Sequence, residues 1–599
     1  MDIITYKDLN KTNIPLKKHN KVLLKWIMKG AKINRLNSLY KEQYSNNPDE
    51  FITNILEELN IKSEYIEQEL ANIPKSGPFI AYANHPLGIL DGLIFINLIR
   101  KKRKDIKILA NDLLSRVEPL SELLISVDLS EKNQSSSKNV SGVKQMYSHL
   151  KNDGGILVFP AGEVSTMHNG KIQDKIWKKS VVKMMVKPKV PLIPIYFAGN
   201  NSITFHIKGK IHESWRTLSL INEMYNKQNF SIPLRIGKQI IPEKINGIDG
   251  IDKKRKYLRA KIYGLSNPRK QSNRTPKLKK LIRQINDVVE HTSTEALVKE
   301  VFNLPNKSRI INSRNFHIYI TTQKESPHIV REICRLREIT FREVGEGSGK
   351  KIDMDKYDAY YQHLFIWDSK AHRIVGSYRV GFGKDIIERY GKTGFYSNSL
   401  FKYNNEFIET LERSIELGRS FIEKNYQKHP LVLLLLWKGI LEILIKNPNY
   451  RYLLGPVSIS NNFSSISKEI IIMFLKRKYY NYDQAKYVKA RKPYKIKHSD
   501  ISKTLLDIDA AHLKDLDKLI QDIEPCNLKT PVLLKKYMNQ NAKIIGFNTD
   551  PKFNNCLDGL ILLDFAWLPQ NTIQRFSHED PYNLLQRQNA FYYENAIQY

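Results

Sequence analysis

A histidine and an aspartate with the spacing of a catalytic pair stand in the stretch NHPLGILDG, as His85 and Asp91. Pro86 and Gly88 favour a turn between them. A turn of this length can hold the Asp91 carboxylate against one imidazole nitrogen while the other nitrogen faces a substrate. This is the geometry of a general base and the group that orients it. For His85 taken by itself, a loop histidine that is hydrogen-bonded for structural reasons is the alternative.

Two further blocks place polar residues at the ends of apolar, strand-like runs. FPAGEVS covers residues 159–165, and its Gly162 lets the backbone approach a ligand closely. VPLIPIYFAGNNS covers residues 190–202 and reads as a buried strand that runs into a polar turn. The three blocks therefore favour a single site at the strand ends of an α/β sheet.

In this order and spacing, the three blocks resemble the glycerophospholipid and lysophospholipid acyltransferase family over about residues 60 to 265. The resemblance implies that His85 deprotonates an acceptor hydroxyl while Asp91 fixes the tautomer of the imidazole. The hydroxyl then attacks an acyl thioester directly, with no covalent acyl-enzyme. The substrate-binding residues that the resemblance implies are Asn84, Gly162, Glu163 and Ser165.

This chain departs from the family pattern at two points. Five residues separate His85 from Asp91 where the family block has four, so Gly88 is expected to absorb the extra residue. Val164 stands where the family block has an arginine. A guanidinium matches the oxygens of a phosphate and valine does not, so we expect an acceptor without phosphorus. Glu163 is expected either to pair with a cationic headgroup or to cap nearby backbone amides.

Charged residues inside apolar elements mark a second constellation, in the blocks RLREITFREVGEG, DMDKYDAYYQHLFIWD, IVGSYRV and SIELGRSFI. Buried charges must be paired, so the pattern predicts that arginines and carboxylates meet in one network. A fold-stabilising ion-pair cluster without catalysis is the alternative. The predicted members are Arg337, Arg379 and Arg419 with Asp355, Asp358 and Glu416.

These blocks resemble the N-acyltransferases related to acyl-homoserine-lactone synthases, a branch of the GNAT fold. The order of both halves is similar to bifunctional bacterial acyltransferases of ornithine lipid and glycine lipid synthesis, often labelled hemolysin-like. The resemblance implies that Glu416 or Asp358 accepts a proton from an α-ammonium group, and that backbone amides at a splayed strand stabilise the oxyanion. The arginines Arg337, Arg379 and Arg419 are expected to hold the amino-acid carboxylate or an acidic carrier. Phe341 and Asp355 complete the substrate-binding residues that the resemblance implies. An acyl thioester of acyl carrier protein, or of coenzyme A, is the expected donor, with no bound cofactor and no metal.

Alternating strand and helix patterns are expected to position these residues in two α/β domains. A lysophospholipid-acyltransferase-like domain is predicted over residues 1–265, with strands in PFIAYAN, KILAN, GILVFP, VPLIPIYFAG and IPLRIG. A basic linker and a connecting helix follow over residues 266–310. A GNAT-like domain is predicted over residues 311–599, with strands in FHIYIT, HLFIWD, RIVGSYRVG and YRYLLGPVSIS and a helix over PHIVREICRLREITFRE.

Lysine and arginine outnumber aspartate and glutamate by 96 to 61, which gives a net charge of +35. Such a charge favours an acidic partner, whether nucleic acid, an anionic membrane or an acidic carrier protein. The sequence has no recognisable helix-turn-helix, zinc or RNA-recognition motif, so nucleic acid is not expected. The three scattered cysteines have neither metal nor disulfide spacing and indicate a reducing cytoplasm.

Two apolar stretches bear on the membrane. PLVLLLLWKGILEILI, residues 430–445, is interrupted by Lys438 and Glu442 and is shorter than the roughly 20 apolar residues of a membrane span, so it predicts a buried helix. KVLLKWIMKGAKINRLNSLY, residues 21–40, places apolar residues on one helical face and lysines around the other. This helix is expected either to lie in a bilayer interface or to dock on its own domain. We expect a cytoplasmic enzyme that associates peripherally with the inner face of the cell membrane.

The sequence thus predicts a bifunctional acyltransferase that makes a phosphorus-free aminolipid. The second domain would transfer a β-hydroxyacyl chain from acyl carrier protein to the α-amine of ornithine or glycine. The first domain would esterify the hydroxyl of the resulting lyso-lipid. The alternative is a single-activity lysophospholipid acyltransferase, of the 1-acylglycerol-phosphate type, whose second half binds the carrier. Pore formation is not expected of a sequence without spanning segments.

Overall fold

The computed structural model describes residues 32–110, 117–127, 137–168, 171–211, 213–266, 286–525 and 528–576. The first part of the predicted N-terminal amphipathic helix, residues 21–31, lies outside the described residues, as do residues 267–285 of the predicted linker with the first part of its connecting helix. The chain divides into two compact units. The first comprises residues 1–274, 500–509 and 521–527, and the second comprises residues 275–499, 510–520 and 528–599.

A seven-stranded, mostly parallel sheet forms the centre of the described part of the first unit. The strands of this unit, including a separate two-stranded hairpin β6–β7, are β1 (Lys62–Glu64), β2 (Phe79–Ala83), β3 (Ile106–Ala110), β4 (Leu124–Ser126), β5 (Gly155–Val158), β6 (Thr166–His168), β7 (Lys171–Gln173), β8 (Leu192–Phe197) and β9 (Ser231–Ile236). The sheet order is β1-β9-β8-β2-β5-β3-β4, and only the β8–β9 pair is antiparallel. Because β8, β2 and β5 are adjacent and parallel, the loops that follow them meet at one edge of the sheet.

Helices cover the sheet of the first unit, as the fully buried strands β2 and β5 require. They are α1 (Ile33–Glu42), α2 (Pro48–Glu58), α3 (Ile89–Arg100), α4 (Ser137–Lys151), α5 (Lys179–Val186), α6 (Ile203–Ile211), α7 (Glu213–Asn226), α8 (Pro242–Asn246) and α9 (Ile251–Gly264). Phe79, Phe95 and Phe197 lie in the hydrophobic core between these layers.

An eight-stranded sheet forms the centre of the described part of the second unit. The strands of this unit are β10 (Arg309–Ser313), β11 (Phe316–Thr322), β12 (Gln362–Asp368), β13 (Arg373–Phe382), β14 (Phe401–Tyr403), β15 (Ser414–Ile422), β16 (Tyr452–Ile459), β17 (Val488–Ala490), β18 (Lys543–Asp550) and β19 (Cys556–Asp564). The sheet order is β10-β11-β12-β13-β15-β16-β19-β18, and β14 pairs with β17 separately. Only β15 and β16 run parallel in this sheet, while its other neighbours are antiparallel.

The helices of the remaining described chain are α10 (Thr294–Asn303), α11 (Pro327–Glu343), α12 (Gly383–Tyr390), α13 (Ile408–Glu412), α14 (Val432–Lys446), α15 (Ser465–Lys478), α16 (Tyr482–Ala485), α17 (Ser499–Asp509), α18 (Leu513–Ile523), α19 (Val532–Asn539) and α20 (Gln570–Phe576). The apolar run at residues 430–445 is the buried helix α14, as predicted. Within the described ranges, we find no helix whose length and apolar character would let it cross a membrane. Both units combine sheets with helices, which confirms the predicted α/β class.

The sequence predicted an uninterrupted second domain over residues 311–599, and the structure corrects this. Residues 500–509 and 521–527 belong to the first unit. The Asp509 carboxylate accepts a hydrogen bond from the Tyr257 hydroxyl at 3.0 Å and pairs with the Lys244 ammonium at 3.0 Å. The amphipathic pattern of α17 shows that one face is buried, but it does not show which sheet that face covers.

Candidate active sites

His85 and Asp91 meet in the first unit at the carboxyl end of β2. Strand β2 ends at Ala83 and helix α3 begins at Ile89. Gly88 links them with a φ of 80°, a backbone conformation that glycine adopts without strain, so it absorbs the extra residue as predicted. The His85 Nδ1 atom lies 3.0 Å from the Asp91 Oδ2 atom. The other ring nitrogen, Nε2, therefore points away from the carboxylate.

Asp91 is completely buried, whereas the side chain of His85 is 18% exposed. Burial raises the pKa of Asp91, and the hydrogen bond with His85 opposes that rise. The same carboxylate oxygen accepts the backbone amides of Leu87 at 2.7 Å and Gly88 at 3.0 Å. These bonds fix the carboxylate at the start of α3, where the helix dipole favours a negative charge.

The loop after β5 forms one wall of the first site. Phe159 stacks on the His85 ring with centroids 4.0 Å apart. Gly162 has a φ of 69°, which fits the predicted tight turn. Val164 is buried, and its methyl group lies 3.4 Å from the position that a Cβ on Gly88 would occupy. An apolar side chain thus fills the place beside the histidine turn where the family pattern has an arginine.

A second buried carboxylate, Asp174, supports the histidine loop, and the sequence analysis missed it. Its Oδ1 atom accepts the Ser165 hydroxyl at 2.6 Å and the His85 backbone amide at 3.2 Å. Its Oδ2 atom accepts the Trp177 indole N–H at 3.4 Å. Burial raises the pKa of Asp174, and the bond from Ser165 opposes the rise. A lone aspartate after a β-hairpin carries no sequence signal for such a role.

Three of the predicted substrate-binding side chains are engaged within the protein. The Asn84 amide donates to the Phe197 carbonyl at 2.8 Å and accepts the Phe197 backbone N–H at 2.7 Å, so it ties β2 to β8. The Ser165 hydroxyl is buried against Asp174. Glu163 pairs with the Lys175 ammonium at 2.6 Å. Asn84 and Ser165 thus position the loops through buried hydrogen bonds, and their contact with a substrate stays a prediction.

In the second unit, three arginines form the predicted buried network with aspartates. Arg337 and Arg379 are each 1% exposed and share the Asp358 carboxylate, at 2.8 Å and 3.2 Å. Arg379 also reaches Asp355 at 2.7 Å. The remaining pairs are Arg337 with Asp353 at 3.0 Å, Arg419 with Asp353 at 3.4 Å and Arg419 with Asp355 at 3.4 Å. Asp353 was missing from the predicted set.

The Asp358 carboxylate is held in its charged form by the two arginines that share it. Burial by itself would raise its pKa, but the charges of Arg337 and Arg379 lower the pKa far below the usual range of an aspartate. Asp358 also accepts the Asp355 backbone amide at 2.8 Å. These contacts favour the charged form of Asp358, and its role as a proton acceptor stays a prediction.

Glu416 lies outside that network, which corrects the prediction. It is 1% exposed, and its Oε2 atom accepts the Tyr361 hydroxyl and the Tyr396 amide, the latter at 2.8 Å. Its Oε1 atom accepts the Ser397 amide at 2.8 Å. Burial raises the pKa of Glu416, and the hydrogen bonds oppose the rise. Its partners are therefore amides and a hydroxyl, and no arginine is among those described.

The strands beside Glu416 splay apart. Parallel pairing of β15 with β16 covers Ser414–Glu416 against Tyr452–Leu454 and stops there, although both strands continue. Arg419 has a φ of 51°, and the β13–β15 register shifts beside it. Backbone amides freed from a ladder in this way can bind a carbonyl oxygen, as the sequence analysis expected.

Phe341, the last of the predicted binding residues, is half-buried on α11. It packs against the apolar cluster of Leu297, Ile329 and Ile333. Core packing accounts for part of the side chain, and its role in substrate binding stays a prediction. Among the residues that the structure describes, no group of three or more His, Cys, Asp or Glu side chains is arranged to hold a metal ion.

Comparison with known proteins gives two family matches and several relatives. A family described as "Acyltransferase" matches residues 9–271, and one described as "Acetyltransferase (GNAT) domain" matches residues 336–438. The glycine N(alpha)-acyltransferase of Bacteroides thetaiotaomicron is 31% identical over 274 residues, which cover 44% of this chain and 80% of that protein. The lyso-glycine lipid O-acyltransferase of Phocaeicola vulgatus is 29% identical over 212 residues, which cover 34% of this chain and 74% of that protein.

Among solved structures, the 1-acyl-sn-glycerophosphate acyltransferase PlsC from Thermotoga maritima is 19% identical with a TM-score of 0.25. It covers 40% of this chain and 84% of its own, and the score is too low to support a conclusion. The sequence relatives and the two matched domains identify the family of the chain. The chain is an acyltransferase and belongs to the family of the glycine N(alpha)-acyltransferase of Bacteroides thetaiotaomicron.

Proposed function

We propose that this chain performs both acylations of glycine lipid synthesis. The second unit transfers a β-hydroxyacyl chain from acyl carrier protein to the α-amine of glycine, and the first unit esterifies the new hydroxyl with a second acyl chain. The observation that carries the proposal is the presence of two separate sites in one chain. One is the pair of His85 and Asp91, and the other is the place in the GNAT-like unit where β15 and β16 separate. Relatives named for each of the two reactions support glycine over ornithine as the amino acid.

In the first unit, His85 Nε2 takes the proton of the acceptor hydroxyl while Nδ1–H donates to Asp91. The hydroxyl oxygen attacks the thioester carbonyl, an ester bond forms, and the carbon–sulfur bond breaks. The thiolate then leaves with the proton held by the imidazolium. The apolar Val164 beside the histidine turn supports an acceptor without a phosphate group.

In the second unit, the ammonium of glycine must lose a proton before its nitrogen attacks the thioester. Glu416 is the better candidate for accepting that proton, because burial raises its pKa whereas the pKa of Asp358 is lowered. The Tyr361 hydroxyl, which donates to Glu416, offers a path for the proton. The arginine network fixes the strands around the splay, and amides at the splay receive the oxyanion.

The chain's net charge of +35 supports an acidic carrier protein as the acyl donor and an anionic membrane as the surface on which the enzyme acts. The lyso-lipid and the final lipid are both amphiphilic, so an enzyme that handles them has to meet a membrane. Peripheral association with the inner face of the cell membrane is part of the same proposal.

The test is lipid mass spectrometry of bacteria that lack aminolipids and express the full chain, fed with isotope-labelled glycine and ornithine. We expect a diacylated lipid that carries the glycine label. His85→Ala should replace it with the mono-N-acylated compound, whereas Glu416→Gln should abolish both. His149→Gln is the matched control, because His149 contacts Asp105 at the opposite edge of the sheet. A lipid labelled by ornithine would refute the choice of amino acid. Loss of N-acylated product in the His85 variant would refute two separate sites.

A further inference from the structure

A buried asparagine in the first unit has no partner for its side-chain amide. Asn201 lies in the polar turn of residues 198–202, which follows β8, and it is 4% exposed. Within the described ranges, neither its Oδ1 atom nor its Nδ2 atom has a hydrogen-bond partner. A buried donor or acceptor that stays unpaired costs free energy. Native proteins keep few such groups, and each calls for an explanation.

The turn that carries Asn201 lies beside the histidine turn. Strands β2 and β8 are parallel neighbours, so the turns that follow them leave the same edge of the sheet. A Cβ on Gly199 would lie 3.4 Å from the side chain of Leu87, which stands two positions after His85. Asn201 is two residues beyond Gly199, which is at most about 7 Å of chain. The unpaired amide is therefore close to the place where His85 meets the acceptor hydroxyl.

Helix α7 contacts both turns. Its Leu220 side chain lies 2.7 Å from the position that a Cβ on Gly88 would occupy. About one helical turn further along, the Glu223 carboxylate accepts the Ser202 backbone amide at 2.8 Å and the Ser202 hydroxyl at 2.5 Å. The residue that follows Asn201 is thus anchored to the helix that packs on the histidine turn, which fixes the backbone at Asn201.

The other polar side chains identified around this site have partners within the protein. Asn84 and Ser165 form buried hydrogen bonds, and Glu163 is paired with a lysine. Val164 has no polar group to offer. Asn201 can therefore give a ligand both a hydrogen-bond donor and an acceptor without breaking a bond within the described part of the chain.

We propose that the Asn201 side chain recognises the glycyl group of the acceptor in O-acylation. This rests on the proposed esterification in the first unit and names the residue that selects its acceptor. The Oδ1 atom accepts the amide N–H of the N-acylglycine, and the Nδ2 amino group donates to its carboxylate. In an extended residue the N–H and the carboxyl oxygen point to the same side, and a carboxamide presents one acceptor and one donor that match them.

The same arrangement discriminates among acceptors. The amide nitrogen is three bonds from the carbon that bears the reacting hydroxyl, so a bond from Asn201 to the amide fixes the hydroxyl relative to His85. An ester oxygen in place of the N–H would face the Oδ1 atom as one acceptor against another. Sites built to hydrogen-bond a substrate N–H discriminate strongly against analogues that lack it. The competing occupant is a water molecule, which would satisfy Asn201 without any preference among acceptors.

The test compares two acceptors on the purified full chain, with hexadecanoyl acyl carrier protein as donor. One is N-(3-hydroxyhexadecanoyl)glycine, and the other is O-(3-hydroxyhexadecanoyl)glycolate, in which an ester oxygen replaces the amide N–H. The value of kcat/KM for acylation of the 3-hydroxyl is measured for each. We expect the wild-type chain to prefer the amide acceptor by at least about tenfold.

Asn201→Leu keeps the approximate size of the side chain and removes both polar groups. It should reduce the preference to about twofold or less, because the rate on the amide acceptor falls more than the rate on the ester. Asn200→Leu is the matched control, since it makes the same substitution at the exposed neighbour in the same turn. This control should keep the wild-type preference.

A wild-type chain that acylates both acceptors equally well overturns the inference and favours the water. An Asn201→Leu variant with an unchanged preference also overturns it, and an equal loss of rate on both acceptors would then indicate a structural role or a contact with the donor. If Asn201→Leu fails to fold, Asn201→Ala removes the same two groups and should shift the preference in the same direction. If the wild-type chain acylates neither acceptor, the proposed esterification itself fails and the inference falls with it.

Discussion

The Asp91 Oδ2 atom accepts three hydrogen bonds at once: from the His85 ring at 3.0 Å and from two backbone amides of the turn that connects them. One oxygen thus fixes both the tautomer of the base and the shape of its loop. The backbone amides of the turn hold the Asp91 carboxylate, and that carboxylate in turn orients the His85 ring. The contact between the two residues therefore depends only on neighbouring parts of the chain. This explains how a spacing one residue longer than the family pattern still produces a histidine–aspartate contact.

Asp91→Asn is expected to impair ester formation without affecting amide formation. The asparagine oxygen can keep all three hydrogen bonds, but the neutral amide removes the negative charge that stabilises the imidazolium formed when His85 takes the proton. We expect the O-acylation rate to fall roughly 10²- to 10⁴-fold. The assay supplies N-(3-hydroxyacyl)glycine and an acyl thioester to the purified chain and measures the diacylated product. The N-acylation rate of the same preparation is the internal control, and an equal fall in both rates would contradict the assignment.

Asp174→Asn tests whether the second buried carboxylate acts through the histidine. The oxygen of the new side-chain amide can keep the bonds from both Ser165 and the His85 amide, but its N–H group would then oppose the Trp177 indole N–H, so the side chain and the histidine loop that it supports should shift. Because a shift of about 1 Å in a reacting group costs up to about 100-fold, we expect kcat for O-acylation to fall roughly 10- to 100-fold with little change in KM. Asp252→Asn is the control, since Asp252 pairs with the exposed Lys179. A rise in KM at constant kcat would instead indicate direct contact with the acceptor.

The first site was predictable from sequence because its central contact is local. His85 and Asp91 are six positions apart, and the turn residues between them restrict how they can meet. The strands that present them were predictable for the same reason, since each is a short apolar run next to turn residues. Asp174 is 89 positions from His85. A contact over that distance depends on how the loops after β2 and β7 pack, and residue type alone does not encode it.

The second site shows a different limit of sequence reasoning. Charge balance correctly predicted that buried arginines would meet carboxylates, but several pairings satisfy that balance equally well. Glu416 was placed in the network because it is acidic and lies in an apolar strand. The structure satisfies it with backbone amides and a tyrosine hydroxyl, and Asp353 takes its place beside the arginines. Backbone donors carry no signature in the sequence, so their competition with arginine could not be foreseen.

Glu416→Gln should therefore cost both stability and N-acylation. A glutamine presents one acceptor and one donor where the protein supplies amide donors to both oxygens, so one amide N–H is left unpaired in the core. We expect the free energy of unfolding in urea to fall by about 1–3 kcal/mol. N-acylation should be lost, while O-acylation of supplied lyso-lipid persists. Glu406→Gln, an exposed carboxylate of the same unit, should change neither quantity. Full N-acylation by the Glu416 variant would exclude Glu416 as the proton acceptor.

His363 should make the chain less stable in mild acid. It lies buried on β12, 3.8 Å from Asp358, and burial lowers its pKa to about 4, with the nearby arginines adding to the effect. The unfolded chain has a histidine pKa near 6.5, so between pH 6.5 and about 4 the unfolded state binds a proton that the folded state does not. The stabilisation is fully present above pH 6.5 and is lost as the pH falls toward 4.

The measurement is the free energy of unfolding in urea at pH 7 and pH 5, for the wild-type chain and His363→Gln. At pH 5 the histidine should cost the wild-type chain roughly 2 kcal/mol relative to pH 7. The variant should lack that part of the difference, whereas the carboxylates with shifted pKa values titrate in both proteins and cancel in the comparison. His512→Gln, which replaces an exposed histidine, should behave like the wild-type chain. Equal pH dependence in the wild-type and His363→Gln chains would mean that His363 can gain a proton without disturbing the arginine network.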